Sequence, residues 1–379
     1  MNTNNIINNK PSGFKDNIKK IIIIIFAIAV ITGCLLFINE NAFTNQDKLE
    51  DIEIGAILPL TGAAASSGSI NKNTIRMLVD MWNEKGGIAG RKIQVVFFDS
   101  MGDSKNGAML ANRIVLDKPD IVFISFSGVC LSAQPIFEKN KVIQLCGAAT
   151  DALFASHPKY TIRNYFSPKD LCSYFLSNID NYFQKNEFSI IYENTDLGLS
   201  YKDALIDNAK KNNVKVNKIV EISINESDFR NIIMKSKFDN NDLIYIAARL
   251  QPLGRVIKQL RDSGFKGKII SDAAINGDEP KSIYGSNNNN LFSLTFKENN
   301  KNIRTEYFRR YELNIDEISL VIFNGLNTLF EFMDKNRIFD SDEIMGKINN
   351  FNSSSFLDGT KIINNEILIN LEINRVEGN

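Results

Sequence analysis

From residue 51 onward, short apolar runs rich in β-branched residues alternate with longer stretches of helical period. "IEIGAILPL" reads as a strand, and the next apolar positions, Ile75, Met77, Leu78, Val79, Met81 and Trp82, share one broad helical face over residues 70–84. Lys85, Gly86 and Gly87 stop that helix, since glycine takes the left-handed conformation of a C-cap, and "KIQVVFF" then starts a second strand. The alternation continues with a helix across 106–117, the strand "DIVFISF", a helix over 130–140 and the strand "KVIQLCG". A second series has helices over 170–183, 200–212, 228–237 and 253–263, interleaved with the strands "FSIIYE", "NKIVEISI", "DLIYIAA" and "KGKIISD". Strands separated by helices of this length make parallel sheets from βαβ units, so the pattern predicts an α/β protein with two doubly wound parallel-sheet lobes. Ligands of such sheets sit beyond the carboxyl ends of the strands.

The N-terminal pattern is different. Lys15, Lys19 and Lys20 precede "IIIIIFAIAVITGC", a charged region followed by an apolar one, as in a secretory signal. The run ends in Ile31-Thr32-Gly33-Cys34, which resembles a bacterial lipobox with Cys34 as the lipidated residue. Leu35 to Ile38 prolong the apolar run to about 18 residues, enough for an uncleaved signal anchor. Residues 1–34 are thus expected to be a signal peptide or anchor and residues 35–50 a polar tether. Either way the folded part lies outside the cytoplasmic membrane, attached by its N-terminus.

Charge and composition narrow the chemistry. Lys+Arg and Asp+Glu both number 44 in 379 residues, and no basic stripe with interleaved aromatics suggests nucleic acid. The sole histidine, His157, precedes a proline in a loop, so histidine triads and multi-histidine metal sites are excluded. No nucleophile elbow or P-loop is present, and the reading is of a non-enzyme without cofactor. Of the cysteines Cys34, Cys130, Cys146 and Cys172, the pair Cys130 and Cys146 lies nearest the ends of neighbouring strands. Those two either bridge or join Cys172 as small buried thiols.

"IGAILPLTGAAASSGSINKNTIRMLVDMWNEKGGIAGRKIQVVFFDS" resembles the opening of type I periplasmic binding proteins of the branched-chain amino-acid receptor family. "ISFSGVCLSAQPIFEKNKVIQLCGAAT", "TIRNYFSPKD", "IIYENTDLG", "PLGRVIKQLRDSGFKGKIISD" and "ISLVIFNGLNTLFEFM" continue the resemblance in order. It implies two lobes joined by three crossovers, the first of residues 51–164 and 297–352, the second of 165–296 and 353–379. It also implies a small-molecule solute, an amino acid, amide or related acid, held between the lobes by hinge closure and delivered to an ABC permease in the membrane. The alternative use of such a fold is a ligand-sensing receptor module that signals to a membrane partner without transport.

Candidate site residues follow from both arguments. Ser127 and Gly128 leave a strand and open a helix, where unpaired N–H groups and the helix dipole suit a carboxylate, although Ser127 also suits an N-cap. By resemblance, Ala149 supplies a carbonyl for an ammonium group and Thr150 a hydroxyl for a carboxylate. Ser66 and Ser67 stand in the first loop, where relatives often place an aromatic. Leu197 and Arg249 also replace aromatics of relatives, and Asp272 lies near an acid that relatives pair with the ammonium. A desolvated arginine needs a partner. Asp272 or an anionic group on the solute would serve for Arg249, the second being preferred.

Overall fold

A computed structural model describes residues 17, 19–20, 23–34, 50–62, 64–147, 157–299 and 301–376. Residues 1–50 and 51–379 form separate compact units. In the first, residues 23–34 are helical with exposed side chains, and Thr32 Oγ1 donates to the carbonyl of Ile28 (2.8 Å). Among the described residues no helix is long and apolar enough to cross a membrane. Much of the expected apolar segment, residues 21–22 and 35–38, lies outside the described residues.

The second unit contains two sheets. The first lobe begins with β1 (Ile52–Leu58), α1 (Ala65–Glu84), β2 (Ile93–Asp99), α2 (Ser104–Ile114), β3 (Ile121–Ser125), α3 (Ser127–Asn140), β4 (Ile143–Gly147) and β5 (Thr161–Arg163). The second lobe holds α4 (Pro168–Ser177), α5 (Ile179–Phe183), β6 (Glu187–Glu193), α6 (Asp196–Lys211), β7 (Lys215–Ile222), α7 (Arg230–Ser236) and β8 (Leu243–Ala247). It continues with α8 (Leu250–Asp262), β9 (Lys268–Asp272), a single 3-10 turn (Ala273–Asn276), α9 (Asp278–Tyr284) and β10 (Leu291–Phe296). The chain then adds α10 (Asn302–Tyr311), α11 (Glu317–Asn336) and α12 (Ser341–Lys347) to the first lobe, before the strands β11 (Lys361–Ile363), β12 (Glu366–Leu368) and β13 (Leu371–Arg375).

Strand order is β11-β12-β5-β4-β3-β1-β2 in one sheet and β13-β10-β9-β8-β6-β7 in the other. The two lobes therefore repeat one winding, β1 to β5 matching β6 to β10. All pairs are parallel except β11 with β12 and β10 with β13. Helices cover both faces of each sheet, which explains strands that are buried almost continuously, such as Ile121–Ser125 and Leu243–Ala247.

The chain passes between lobes at residues 164–167, 297–301 and 369–370. The last passage corrects the expected boundary at 353. Lys361–Ile363 and Glu366–Leu368 form a hairpin that turns on Asn364 and Asn365, both at positive φ, and β12 pairs with β5 of the first sheet. Arg163 on β5 holds Glu366 at 2.7 Å, fixing the hairpin there. Two passages are tied together: Lys297 N–H donates to Asn370 O (3.1 Å), Asn370 N–H to Asp358 O (2.9 Å), and Asp358 N–H to Lys297 O (2.9 Å).

Two helices differ from expectation. The stretch 170–183 is split at Asn178, whose side chain bonds back to the carbonyl of Tyr174 (2.9 Å) instead of continuing the ladder. α1 begins at Ala65, so Ser66 and Ser67 lie in its first turn and not in a loop. The glycine corner after α1 is scaffold: Ile88 and Arg91 exchange backbone bonds of 2.9 and 3.0 Å, and Ala89 N–H donates to Asp334 of α11 (2.7 Å). Gly87 is required there, because a Cβ would lie 1.9 Å from Arg91 O.

Candidate functional site

The carboxyl ends of β3 and β8 are equivalent positions in the two lobes, and both lead into helices that no side chain caps. The N-cap of α3 is Phe126, at φ 73° and 42% exposed. Ser127 is therefore not the cap but the first helical residue, half-buried, with Gly128 exposed beside it. Among the described residues the Phe126 side chain does not cap the N-terminal N–H groups of α3, and the positive end of the helix favours an anion. Ser104, at the start of α2, stands against Gly128, since a Cβ on that glycine would meet Ser104 Oγ at 2.6 Å. Ser125, the last residue of β3, buries an Oγ without a hydrogen-bond partner among the described residues. Ala149 and Thr150 lie outside the described residues.

In the second lobe the corresponding cap is Arg249, followed by Leu250 at φ 49° and 52% exposed. Arg249 is held by Asp272 at the end of the adjacent strand β9: Nη1 donates to Oδ1 (2.7 Å) and Nη2 pairs with Oδ2 (2.5 Å). Asp272, one of the two partners expected for Arg249, therefore pairs with it in the structure. The physical reason is that parallel neighbours β8 and β9 put the two side chains side by side, and a bidentate fork satisfies both charges. The Tyr201 hydroxyl, from α6, also donates to Asp272 Oδ2 and receives Arg249 Nη2 (3.3 Å). The guanidinium lies 5.5 Å from the Tyr201 ring centre. Asp272 Oδ1 further accepts the Ala274 N–H (3.1 Å), and the Arg249 N–H goes to Glu193 Oε2 (3.0 Å) at the end of β6.

These contacts set the protonation states. Burial, then the Asp272 charge, push the Tyr201 hydroxyl far above its ordinary range, so it stays a donor. Burial works against the charge on Arg249, but Asp272 outweighs it and holds the guanidinium protonated. Tyr165, on the first passage between lobes, has its hydroxyl pushed up by burial and pulled back by Arg249, with Asp272, Asp316 and Glu317 also acting on it. It marks where the second-lobe cluster approaches the start of α11. Leu197 occupies the first turn of α6, half-buried against the second-lobe core. Ser67 is half-buried in α1.

Sequence reasoning missed Tyr201 and Glu193. A signal for Tyr201 existed: it shares the buried face of α6 with Leu205 and Ala209, and a tyrosine on such a face needs a partner for its hydroxyl. A cavity of about 1150 Å³ opens elsewhere between β10, β13 and the start of α11, lined by Asn276, Thr295, Glu298, Arg304, Asp316 and Glu317. Two of its acids pair with Arg304, whose Nη2 lies 2.7 Å from Glu298 and 3.3 Å from Glu317. Among the described residues, no cluster of three or more His, Cys, Asp or Glu could hold a metal. Cys130 and Cys146 are free thiols buried together, with Gln144 Nε2 reaching both Cys130 O (3.1 Å) and Cys146 Sγ (2.6 Å).

Residues 51–346 match the family model described as periplasmic binding protein, and the chain belongs to that family. The Leu/Ile/Val-binding protein homolog 2 of Brucella abortus is 28% identical over 240 residues, 62% of this chain and 64% of that one. The Leu/Ile/Val-binding protein of Escherichia coli K12 is 26% identical over 255 residues, 65% of this chain and 67% of that one. The chain thus spans about two thirds of the curated relatives it matches. Among solved structures, the leucine binding protein LivK of Thermotoga maritima superposes with a TM-score of 0.73 at 20% identity, covering 86% of this chain and 95% of that one. A solute binding protein of an ABC transporter from Rhodopseudomonas palustris, solved with 3,4-dihydroxybenzoic acid, gives 0.73 at 19% identity, covering 86% and 93%. The architecture is the type I periplasmic-binding-protein fold.

Proposed function

We propose that the protein is an extracytoplasmic solute-binding protein, not an enzyme, that captures a small polar solute between its lobes and delivers it to an ABC permease. The observation that carries this reading is the uncapped start of α3 at Phe126 to Gly128, with the orphaned Ser125 hydroxyl beside it. Unpaired backbone N–H groups at a strand's carboxyl end form a receptor for a carboxylate. The relatives named for leucine, isoleucine and valine, and the one solved with an aromatic acid, support a solute bearing that group.

Thermal denaturation of the full chain in mild detergent, against a panel of amino acids, amides and organic acids, tests the reading. A solute present at 100 times its dissociation constant stabilises the protein by about 2.7 kcal/mol. Ser127→Ala is expected to weaken its binding by about 1–1.5 kcal/mol with an unchanged circular dichroism spectrum. Equal affinity in the variant would leave Ser127 a scaffold residue.

Attachment is part of the same proposal. Cys34 is exposed at the end of the described N-terminal helix, and that exposure supports reading it as the lipidated residue. Labelling by a fatty-acid analogue that disappears in Cys34→Ala supports a lipoprotein. Labelling that persists, or that the unaltered chain lacks, points to a protein anchor.

A further inference from the structure

We propose, resting on the solute-binding reading above, that the solute is a carboxylic acid with an apolar body and no α-ammonium group. The argument starts from what the second lobe has left to offer. A carboxylate has about four acceptor positions. Asp272 uses them all: Oδ1 takes Arg249 Nη1 and the Ala274 N–H, and Oδ2 takes Arg249 Nη2 and the Tyr201 hydroxyl. An ammonium group could reach Asp272 only by displacing a guanidinium that is 19% exposed and would be left without its counter-charge.

Glu193 keeps acceptor positions to spare, but burial shields them from the solute. Its side chain is buried, Oε2 accepts the Arg249 N–H and Oε1 the Thr195 hydroxyl (3.1 Å). The Tyr201 hydroxyl is committed on both sides, donating to Asp272 and accepting from Arg249. Arg249 in turn has its charge met, so the second lobe does not call for a second carboxylate on the solute either. Leu250, 52% exposed, and Leu197, half-buried on the neighbouring helix, put hydrocarbon on this wall.

Phe126 repeats the feature at the equivalent corner of the first lobe. Both Phe126 and Leu250 sit at positive φ, a conformation that costs a branched or bulky side chain energy. Such backbone is retained where the surroundings fix it, characteristically at binding sites. Two apolar side chains held exposed at the two third-strand corners suit an aliphatic or aromatic body.

The test is titration of the full chain in mild detergent with matched pairs that differ only by the α-ammonium: leucine against isocaproate, and phenylalanine against hydrocinnamate. The des-amino acid of at least one pair is expected to bind about ten-fold or more tightly than its amino acid. Arg249→Met, with its fold checked by circular dichroism, frees Asp272 and is expected to shift the preference toward the amino acid. Should that variant not fold, the titrations of the unaltered chain decide alone. Amino acids binding as well as or better than their des-amino partners would overturn the inference while the solute-binding reading stood. No response to any member of the panel would overturn both.

Discussion

The two lobes share a winding but finish the corners after their third strands in opposite ways. In both, the helix after the first strand carries a glycine pressed onto that strand's end. A Cβ at Gly68 would come 2.1 Å from Pro59 O, and one at Gly198 would come 2.0 Å from Glu193 O. In both, the helix after the third strand lacks a side-chain cap and is preceded or begun by an apolar residue at positive φ. The corners then diverge. The first lobe starts its helix at Ser127 without a cap bond from Phe126 and, among the described residues, leaves the Ser125 hydroxyl unpartnered. The second closes its charges on themselves through Arg249, Asp272 and Tyr201. One fold thus supplies a receptive polar wall and a self-compensated one, and the difference lies in a few residues after equivalent strands.

The sharpest way to break this contrast is to remove one member of the closed cluster. Arg249→Ala leaves Asp272, only 3% exposed, without its counter-charge and is expected to destabilise the chain by about 3–5 kcal/mol in chemical denaturation. The double replacement Arg249→Met with Asp272→Leu removes both charges and is expected to recover most of that loss. A single variant as stable as the parent would mean that the second wall is as open as the first.

The glycines test what the lobes share. Gly68→Ala and Gly198→Ala each push a methyl group into backbone, with expected losses of about 1–3 kcal/mol. Gly128→Ala meets only the exposed Ser104 hydroxyl, which can rotate away, so its thermal midpoint is expected to move less while solute affinity falls. If Gly128→Ala proved the most destabilising of the three, the start of α3 would be scaffold instead of receptor.

Much of this architecture was legible as pattern. Continuous apolar runs marked β1 to β4 and β6 to β9, and amphipathic stretches marked most helices, because burial on two faces or one leaves that signature. The starts of α1 and α3 were read late, since "AAASSGS" and "SGV" carry small and polar residues with no apolar period. β5, β10, β13 and the 361–368 hairpin were not read as strands; β5 and the two hairpin strands are each three residues long and held by lateral pairing. At the candidate site, Ser127 could be singled out by its place after a strand, and Arg249 and Asp272 by the positions that relatives use. The partner of Arg249 stayed open between Asp272 and a solute anion, because adjacency of β8 and β9 is a property of the sheet. Tyr201 comes from a third element and was invisible for the same reason.

The smallest expected effect concerns the start of α11, where the lobes meet. Glu317 of the first lobe accepts Arg304 Nη2 (3.3 Å) and Asn276 Nδ2 of the second lobe (3.4 Å). Burial raises the Glu317 pKa above the usual carboxylate range, and the Arg304 charge offsets this only in part. Asp316 beside it is raised for the same first reason. A carboxyl group with a raised native pKa binds its proton more readily in the folded chain than in the unfolded one. Its ionisation therefore costs stability at pH 7, and that cost is relieved as pH falls through the native value toward the unfolded one near 4.3. Glu317→Gln mimics the protonated form, so its stability relative to the parent is expected to be higher at pH 7 than at pH 4, by no more than about 1 kcal/mol because the group is partly exposed. Taking the difference between variant and parent removes the opposite contributions of Asp228 and Glu306, which arginine hydrogen bonds hold down at about 2. Thermal denaturation of both chains at the two pH values gives the sign. A relative stability that rises on acidification would mean that Glu317 is held ionised by Arg304, and that the junction between the lobes is a closed ion pair like the one at Arg249.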